Sequence, residues 1–223
     1  MKKIGLMVLL LAVGVLIAAA PASAVNSLVV NAGAALNGTN FGLAVTVGPN
    51  GADNNAVYVE SQHPVDETHM EIRLRFRTQS LDSPSTGGGR TFRFLNMRSD
   101  FGGGKSHKIL FLQRQNTGNW RFAAWNLNNA NAFEFLGGFF IGPYHEAAEH
   151  QIRCEWTKAT APSNGIFHCE RTEAPAQNFT VSNVDDSNYD TDAVQVGFFD
   201  FDNFGATTGG AGKLDVDEYE SYR

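Results

Sequence analysis

His150-Gln151-Ile152-Arg153-Cys154-Glu155-Trp156 and Gly165-Ile166-Phe167-His168-Cys169-Glu170-Arg171 decide the fold, because these two short runs hold both cysteines of the chain. Each run has strand character. Between them lies Thr160-Ala161-Pro162-Ser163-Asn164-Gly165, whose Pro, Asn and Gly favour a turn. Two strands joined this way pair antiparallel, which brings Cys154 and Cys169 within reach of a disulfide. Closing a loop of about 15 residues would stabilise the fold by roughly 3 kcal/mol. Two cysteines fall short of the ligand count of a structural zinc site. Ile152, Cys154 and Trp156 share one parity along the strand, so Trp156 is expected in the core.

Strand signals continue outward in both directions. Met70-Glu71-Ile72-Arg73-Leu74-Arg75-Phe76-Arg77 alternates with period two, giving one dry side and one wet side. Before it come runs at 27–30, 41–47 and 55–60. After it come 90–97, 107–113 and 120–127, separated by Phe101-Gly102-Gly103-Gly104 and Asn116-Thr117-Gly118-Asn119. Both separators have hairpin-turn chemistry. A strand at 131–141 is interrupted by Gly137-Gly138, and residues 143–149 are expected to form a single helical turn. Beyond Cys169 lie Phe179-Thr180-Val181, the run 193–199 and the closing run 212–223. About twelve short strands, glycine-rich turns and no sustained helical period predict an all-β, antiparallel β-sandwich with one disulfide.

Residues 1–24 read as a secretory signal: Lys2-Lys3, an apolar run at 4–20, then Ala22-Ser23-Ala24 as a cleavage site. No cysteine follows the site, so a lipoprotein is not expected. Residues 25–223 are then a single domain, secreted or held in the periplasm or cell envelope, and not embedded in the membrane. The formal net charge of −6 becomes more negative once Lys2 and Lys3 leave, which argues against nucleic acid as a partner. Oligomeric state has no sequence signal. Asn37-Gly38-Thr39 and Asn178-Phe179-Thr180 are glycosylation sequons in form only, since the leader looks bacterial.

The order of strands resembles the concanavalin A-like lectin/glucanase superfamily, a jelly-roll sandwich, and within it the secreted bacterial members. The matching pieces are His150-x-Ile152-x-Cys154-x-Trp156, Val194-x-Val196-Gly197 and Gly212-Lys213-Leu214-Asp215-Val216-Asp217-Glu218-Tyr219-Glu220-Ser221-Tyr222-Arg223. Gly42-Leu43 followed by Ala56-Val57-Tyr58-Val59 is similar to the start of those proteins. The resemblance implies the fold more than an activity.

Four constellations are candidates for chemistry. Asp215, Asp217 and Glu220 resemble the Glu-x-Asp-x-x-Glu strand of laminarinases, which would make Asp215 the nucleophile and Glu220 the acid of a retaining glycosidase. An Asp replaces the first Glu, however, and a closing strand with a bulge at Asp217-Glu218 explains the same residues. Alginate lyases of this fold carry Arg, Gln-x-His and Tyr-Lys signatures on concave strands, but Gln151-Ile152-Arg153 lacks the histidine and no Tyr-Lys strand is evident. Asp200-Phe201-Asp202-Asn203-Phe204-Gly205, with help from Asp217, is a candidate structural calcium loop. No other cofactor is expected. Finally, Trp125 with Asn126, Asn128, Arg93 and Arg114 has the ring and planar polar groups of a sugar-binding face.

The expectation from sequence is a non-catalytic protein that binds a glycan or surface polymer. The alternatives are a glycoside hydrolase or polysaccharide lyase of the same fold, and a structural or adhesive envelope protein without a small ligand.

Overall fold

The computed structural model describes residues 26–48, 56–81, 90–202 and 212–223. The segment read as a leader lies outside them. Among these residues thirteen strands follow in chain order. The first six are β1 (Ser27–Asn31), β2 (Gly42–Val47), β3 (Val57–Glu67), β4 (His69–Arg77), β5 (Arg90–Ser99) and β6 (Lys105–Arg114). Then come β7 (Asn119–Leu127), β8 (Phe133–Pro143), β9 (His150–Thr157), β10 (Gly165–Arg171), β11 (Asn178–Val184), β12 (Thr191–Asp202) and β13 (Gly212–Tyr222). They form a seven-stranded sheet, β1-β2-β13-β4-β9-β10-β11, and a six-stranded sheet, β3-β12-β5-β6-β7-β8. Neighbouring strands pair antiparallel throughout, as in β4 with β9 and β12 with β5.

Alternation explains why the sheets stack. On β4, Met70, Ile72, Leu74 and Phe76 are fully buried while Glu71, Arg73, Arg75 and Arg77 face away from them. Opposite them the six-stranded sheet contributes Phe92, Phe94, Leu110, Leu112, Trp120, Phe122, Val194 and Phe198 to the same buried cluster. The predicted cysteine hairpin is β9 and β10. Cys154 and Cys169 are direct cross-strand partners, 4.1 Å apart between Cα atoms and joined by the disulfide. Both are buried beside Trp156 and Phe167 in the core.

Two local expectations are corrected. Residues 143–149 hold no helical turn: Pro143 ends β8, and Tyr144-His145 makes a turn in which His145 adopts a φ of 57°. Tyr144 is tied back to the β6–β7 turn by its amide, which donates to the Gly118 carbonyl at 3.1 Å, and by its hydroxyl on the Gln115 carbonyl. These cross-links hold the segment extended. Among the described residues the one α-helical turn is Phe101–Gly104, which joins β5 to β6. Gly137-Gly138 does not break β8 either. The strand runs through with a register shift, because a Cβ at Gly138 would meet the Phe122 carbonyl oxygen at 2.4 Å and glycine alone allows that approach.

At Gly197 (φ 156°) an added Cβ would stand 2.1 Å from the Val57 carbonyl oxygen. Its absence lets β3 lie close on β12 and sets Tyr58 beside Phe199, their rings stacked at 5.3 Å. No described helix is long and apolar enough to cross a membrane.

Candidate functional site

The six-stranded sheet has a second face, turned away from the core, and it is unlike the opposite face of the sandwich. A bulge on β5 between Arg93 and Leu95 creates it. Phe94 and Leu95 are both buried in the core, so Arg93 and Asn96 emerge on the far side of the sheet. The register then lays down two rows. Arg93 stands opposite Phe111 and Ala123, and Asn96 stands opposite Ile109 and Trp125. Ile109, Phe111 and Ala123 form a small apolar cluster of their own, with Trp125 packed on it.

Arg93 holds its guanidinium 5.2 Å from the centre of the Trp125 ring, and Trp125 is 4.5 Å from Phe111. This stack fixes both the ring plane and the cation. Beside it lies a depression of about 430 Å³ lined by Arg93, Asn96, Lys105, Ile109, Phe133 and Phe199. Asn96 is 6% exposed, and its Oδ1 has no hydrogen-bond partner in the structure. A buried acceptor left open in a hollow is one that a ligand hydroxyl can satisfy.

The rim is polar and mostly cationic. Lys105 donates to Asn131 Oδ1 at 2.5 Å, and Arg121 lies 4.8 Å from the Phe135 ring centre. On β3, Glu60 accepts from Gln195 at 2.5 Å and from Arg98 at 3.4 Å, so this carboxylate is already engaged. Tyr58 sits one alternation away on the same strand and is 42% exposed. A chain with a net charge of −6 thus shows a basic, aromatic hollow suited to an anionic polymer.

Of the five residues predicted for a sugar-binding face, the structure brings two together, Arg93 and Trp125. The other three go elsewhere. Asn126 is fully buried on the core side of β7, because it has the opposite parity to Trp125. Asn128 braces the turn into β8, its Oδ1 accepting from the amides of Ala130 and Ala132 at 3.0 and 2.9 Å. Arg114, with the parity of core residues Leu110 and Leu112, reaches the end of the sheet and lies over the Tyr144 ring at 4.5 Å. Asn96, Lys105 and Tyr58 were missed. The bulge that turns Asn96 outward breaks the period-two count, and nothing local announces it.

The three residues of the hydrolase motif are each bonded to protein partners. Asp215 is fully buried and bound by Arg77 at 2.7 Å, Lys213 at 3.0 Å and Gln79. Asp217 anchors the segment after the Ala32–Ala34 turn, accepting from the Leu36 amide at 2.9 Å and from the Thr39 hydroxyl. Glu220 accepts from the Tyr222 hydroxyl at 2.6 Å. The expected bulge is present, with a register shift between Asp217 and Glu220 and a φ of 49° at Glu218. These carboxylates serve the seven-stranded sheet. For the calcium loop, the side chains of Asp200 and Asp202 and residues 203–205 lie outside the described residues. The Asp217 oxygens are occupied by protein donors, and no cluster of three potential metal ligands occurs among the described residues.

Gln151 is on β9, in the seven-stranded sheet, so it takes no part in this face. On the site's own sheet, beside the apolar cluster, β6 ends in Gln113-Arg114, followed by Gln115. These three residues too lack a histidine, and the two glutamines bond each other at 2.9 Å. No histidine lines the depression.

No protein-family model matches the chain, and no curated protein matches it in sequence. Solved structures do match in shape. An endo-β-1,4-glucuronan lyase from the fungus Trichoderma reesei superposes with a TM-score of 0.59 at 12% identity, covering 88% of this chain and 86% of that one. The cellulose-induced protein Cip1 gives 0.53 at 12% identity, covering 88% and 85%. An alginate lyase from Pseudomonas aeruginosa gives 0.52 at 13% identity, covering 81% and 82%. The presence of lyases among these neighbours overturns the expectation of a non-catalytic binder. At such identities the likeness is one of architecture: the chain has the jelly-roll sandwich fold of these structures.

Proposed function

We propose that this chain is an exported polysaccharide lyase that cleaves a uronate-containing polymer on the outer face of its six-stranded sheet. The observation that carries the reading is the Arg93–Trp125 stack beside the open Asn96 acceptor, within a basic hollow. A lyase removes the proton next to the uronate carboxylate. The electron pair forms a carbon–carbon double bond, the bond to the glycosidic oxygen breaks, and that oxygen leaves with a proton. Arg93 is assigned to the carboxylate, whose charge it neutralises so that the adjacent proton becomes acidic. Trp125 and Phe111 offer ring surface to the sugar, and Asn96 Oδ1 accepts a hydroxyl. Tyr58, which flanks the hollow across β12 from Arg93, is assigned both transfers: its phenolic proton passes to the departing oxygen while the phenolate oxygen takes the proton lost from the sugar ring.

The test is incubation of the purified protein with glucuronan and, separately, alginate, following the ultraviolet absorbance of unsaturated chain ends. Absorbance should rise with one or both. Arg93→Ala should lower the rate by about a hundredfold, the scale of losing one charge-stabilising group. Tyr58→Phe should lower the rate similarly with the circular dichroism spectrum unchanged. No unsaturated ends from either polymer would overturn the proposal.

A further inference from the structure

One end of the sandwich core holds an amine, an amide and a carboxylate sealed together. Lys108 on β6 and Asn126 on β7 are direct cross-strand partners, and both are fully buried. Lys108 Nζ lies 2.8 Å from Asn126 Oδ1 and 2.7 Å from Asp186 Oδ2. Asp186 is also fully buried, and accepts from Trp156 Nε1 at 2.6 Å and from the Ala159 amide at 2.9 Å. The Trp156 ring covers the lysine, its centre 5.0 Å from Nζ. His107 Nδ1 is 3.4 Å from the same nitrogen, while its Nε2 meets the Thr191 hydroxyl at 2.9 Å. None of these groups reaches the hollow on the other side of the sheet.

We propose that Lys108 and Asn126 join in an isopeptide bond, formed within the folded chain with Asp186 as the proton acceptor. The step uses only what is present. The ammonium passes a proton to the Asp186 carboxylate, and the freed lone pair attacks Asn126 Cγ. A C–N bond forms to Lys108, the bond from Cγ to Nδ2 breaks, and the nitrogen leaves as ammonia carrying the second lysine proton. The products are one amide, one ammonia and a neutral Asp186, so atoms and charge balance.

Three physical facts favour the reaction. Burial drives the Lys108 amine down to about 8 against the opposing pull of Asp186, so the nucleophilic form is accessible. Holding amine and amide in contact supplies a very high effective concentration. A fully buried ion pair is also costly to keep, and the reaction replaces it with neutral groups. Asp186 is the weaker electrophile of the two, since a carboxylate holding three donors carries the negative charge. Burial and the nearby Lys108 keep His107 neutral, so it adds no competing positive charge.

Mass spectrometry of the full-length protein, reduced, denatured and digested with trypsin, tests this. Residues 106–114 and 122–153 should be recovered as one branched peptide, uncut after Lys108 and lighter than the sum of its parts by about 17 Da, the mass of ammonia. Asp186→Ala and Lys108→Arg should each be cut after residue 108 and release residues 122–153 as a linear peptide of full mass. Cleavage after Lys108 in the wild-type protein, with residues 122–153 at full mass, would overturn the proposal. So would a link from Lys108 to Asp186 with loss of water. The wild-type digest decides the matter even if a variant fails to fold.

Discussion

Trp120 and Trp125 lie on one strand and meet opposite surroundings, one sealed in the core and the other stacked under Arg93. Parity alone separates them, and parity is written in the sequence. Asn126 and Asn128 were misread for a related reason. A polar planar side chain next to an exposed ring looks like a sugar ligand, yet one serves a buried amine and the other a turn. The amine, on another strand, is a partner that no spacing reveals, whereas the turn amides of Ala130 and Ala132 lie two and four residues along from Asn128. Cys154 and Cys169 are the opposite case, since a turn of the right chemistry between two short strands was enough to pair them. Replacing both by alanine should cost about 3 kcal/mol in urea-induced unfolding while leaving the far-ultraviolet spectrum of the native sheet in place. An unchanged unfolding midpoint would show that the hairpin holds without the covalent tie.

Among the strands, β4 shows how far alternation reaches. Its dry side was read residue by residue, and its wet side forms a charge lattice with β9 and β13. Glu71 accepts from Arg73 and from Arg153, each at 2.5 Å, and Arg75 binds Glu218 at 2.9 Å. The bond from Arg153 holds the Glu71 carboxyl below its usual range, and bonds from Asn37 and Arg75 do the same for Glu218. Folded carboxylates of this kind stay ionised where unfolded ones take up protons. Their contribution is therefore present above a pH of about 4.5 and is lost as the pH falls through the lowered folded values. His150 widens the window. Burial, followed by Arg171, pushes it down to about 4 from 6.5, outweighing Glu173 at 3.4 Å, so the unfolded chain takes up its proton first. Thermal unfolding followed from pH 7 to pH 3 should show the midpoint falling below about pH 6.5 and more steeply below about 4.5. Glu71→Gln should flatten the lower part of that fall, and an unaltered slope would show that the lattice contributes nothing.

Across the whole molecule the two sheets share one buried cluster, with Trp156 entering from one and Trp120 from the other. Neither sheet can expose its inner face without exposing the other's. Tryptophan fluorescence and far-ultraviolet circular dichroism should therefore report one coincident denaturant transition. Separate midpoints would mean that the layers unfold independently. The same stacking places the Asp215, Asp217 and Glu220 strand in the seven-stranded sheet and the basic hollow on the six-stranded one. A motif on the closing strand could not show that it lay in the other layer.

The sequence by itself determined the all-β sandwich, the cysteine pair, the dry and wet sides of β4 and the inward course of Trp156. Each of these depends on neighbours a few residues apart, and a period of two or a short turn encodes that directly. Only the tertiary structure decided that Arg93 and Asn96 share a hollow with Lys105 and Phe199, and that Lys108, Asn126 and Asp186 meet in the core. A bulge shifts the parity in the first case, and in the second three strands and a loop converge from distant parts of the chain. Proximity of that kind follows from the order in which strands are laid side by side, which no local pattern of side chains records.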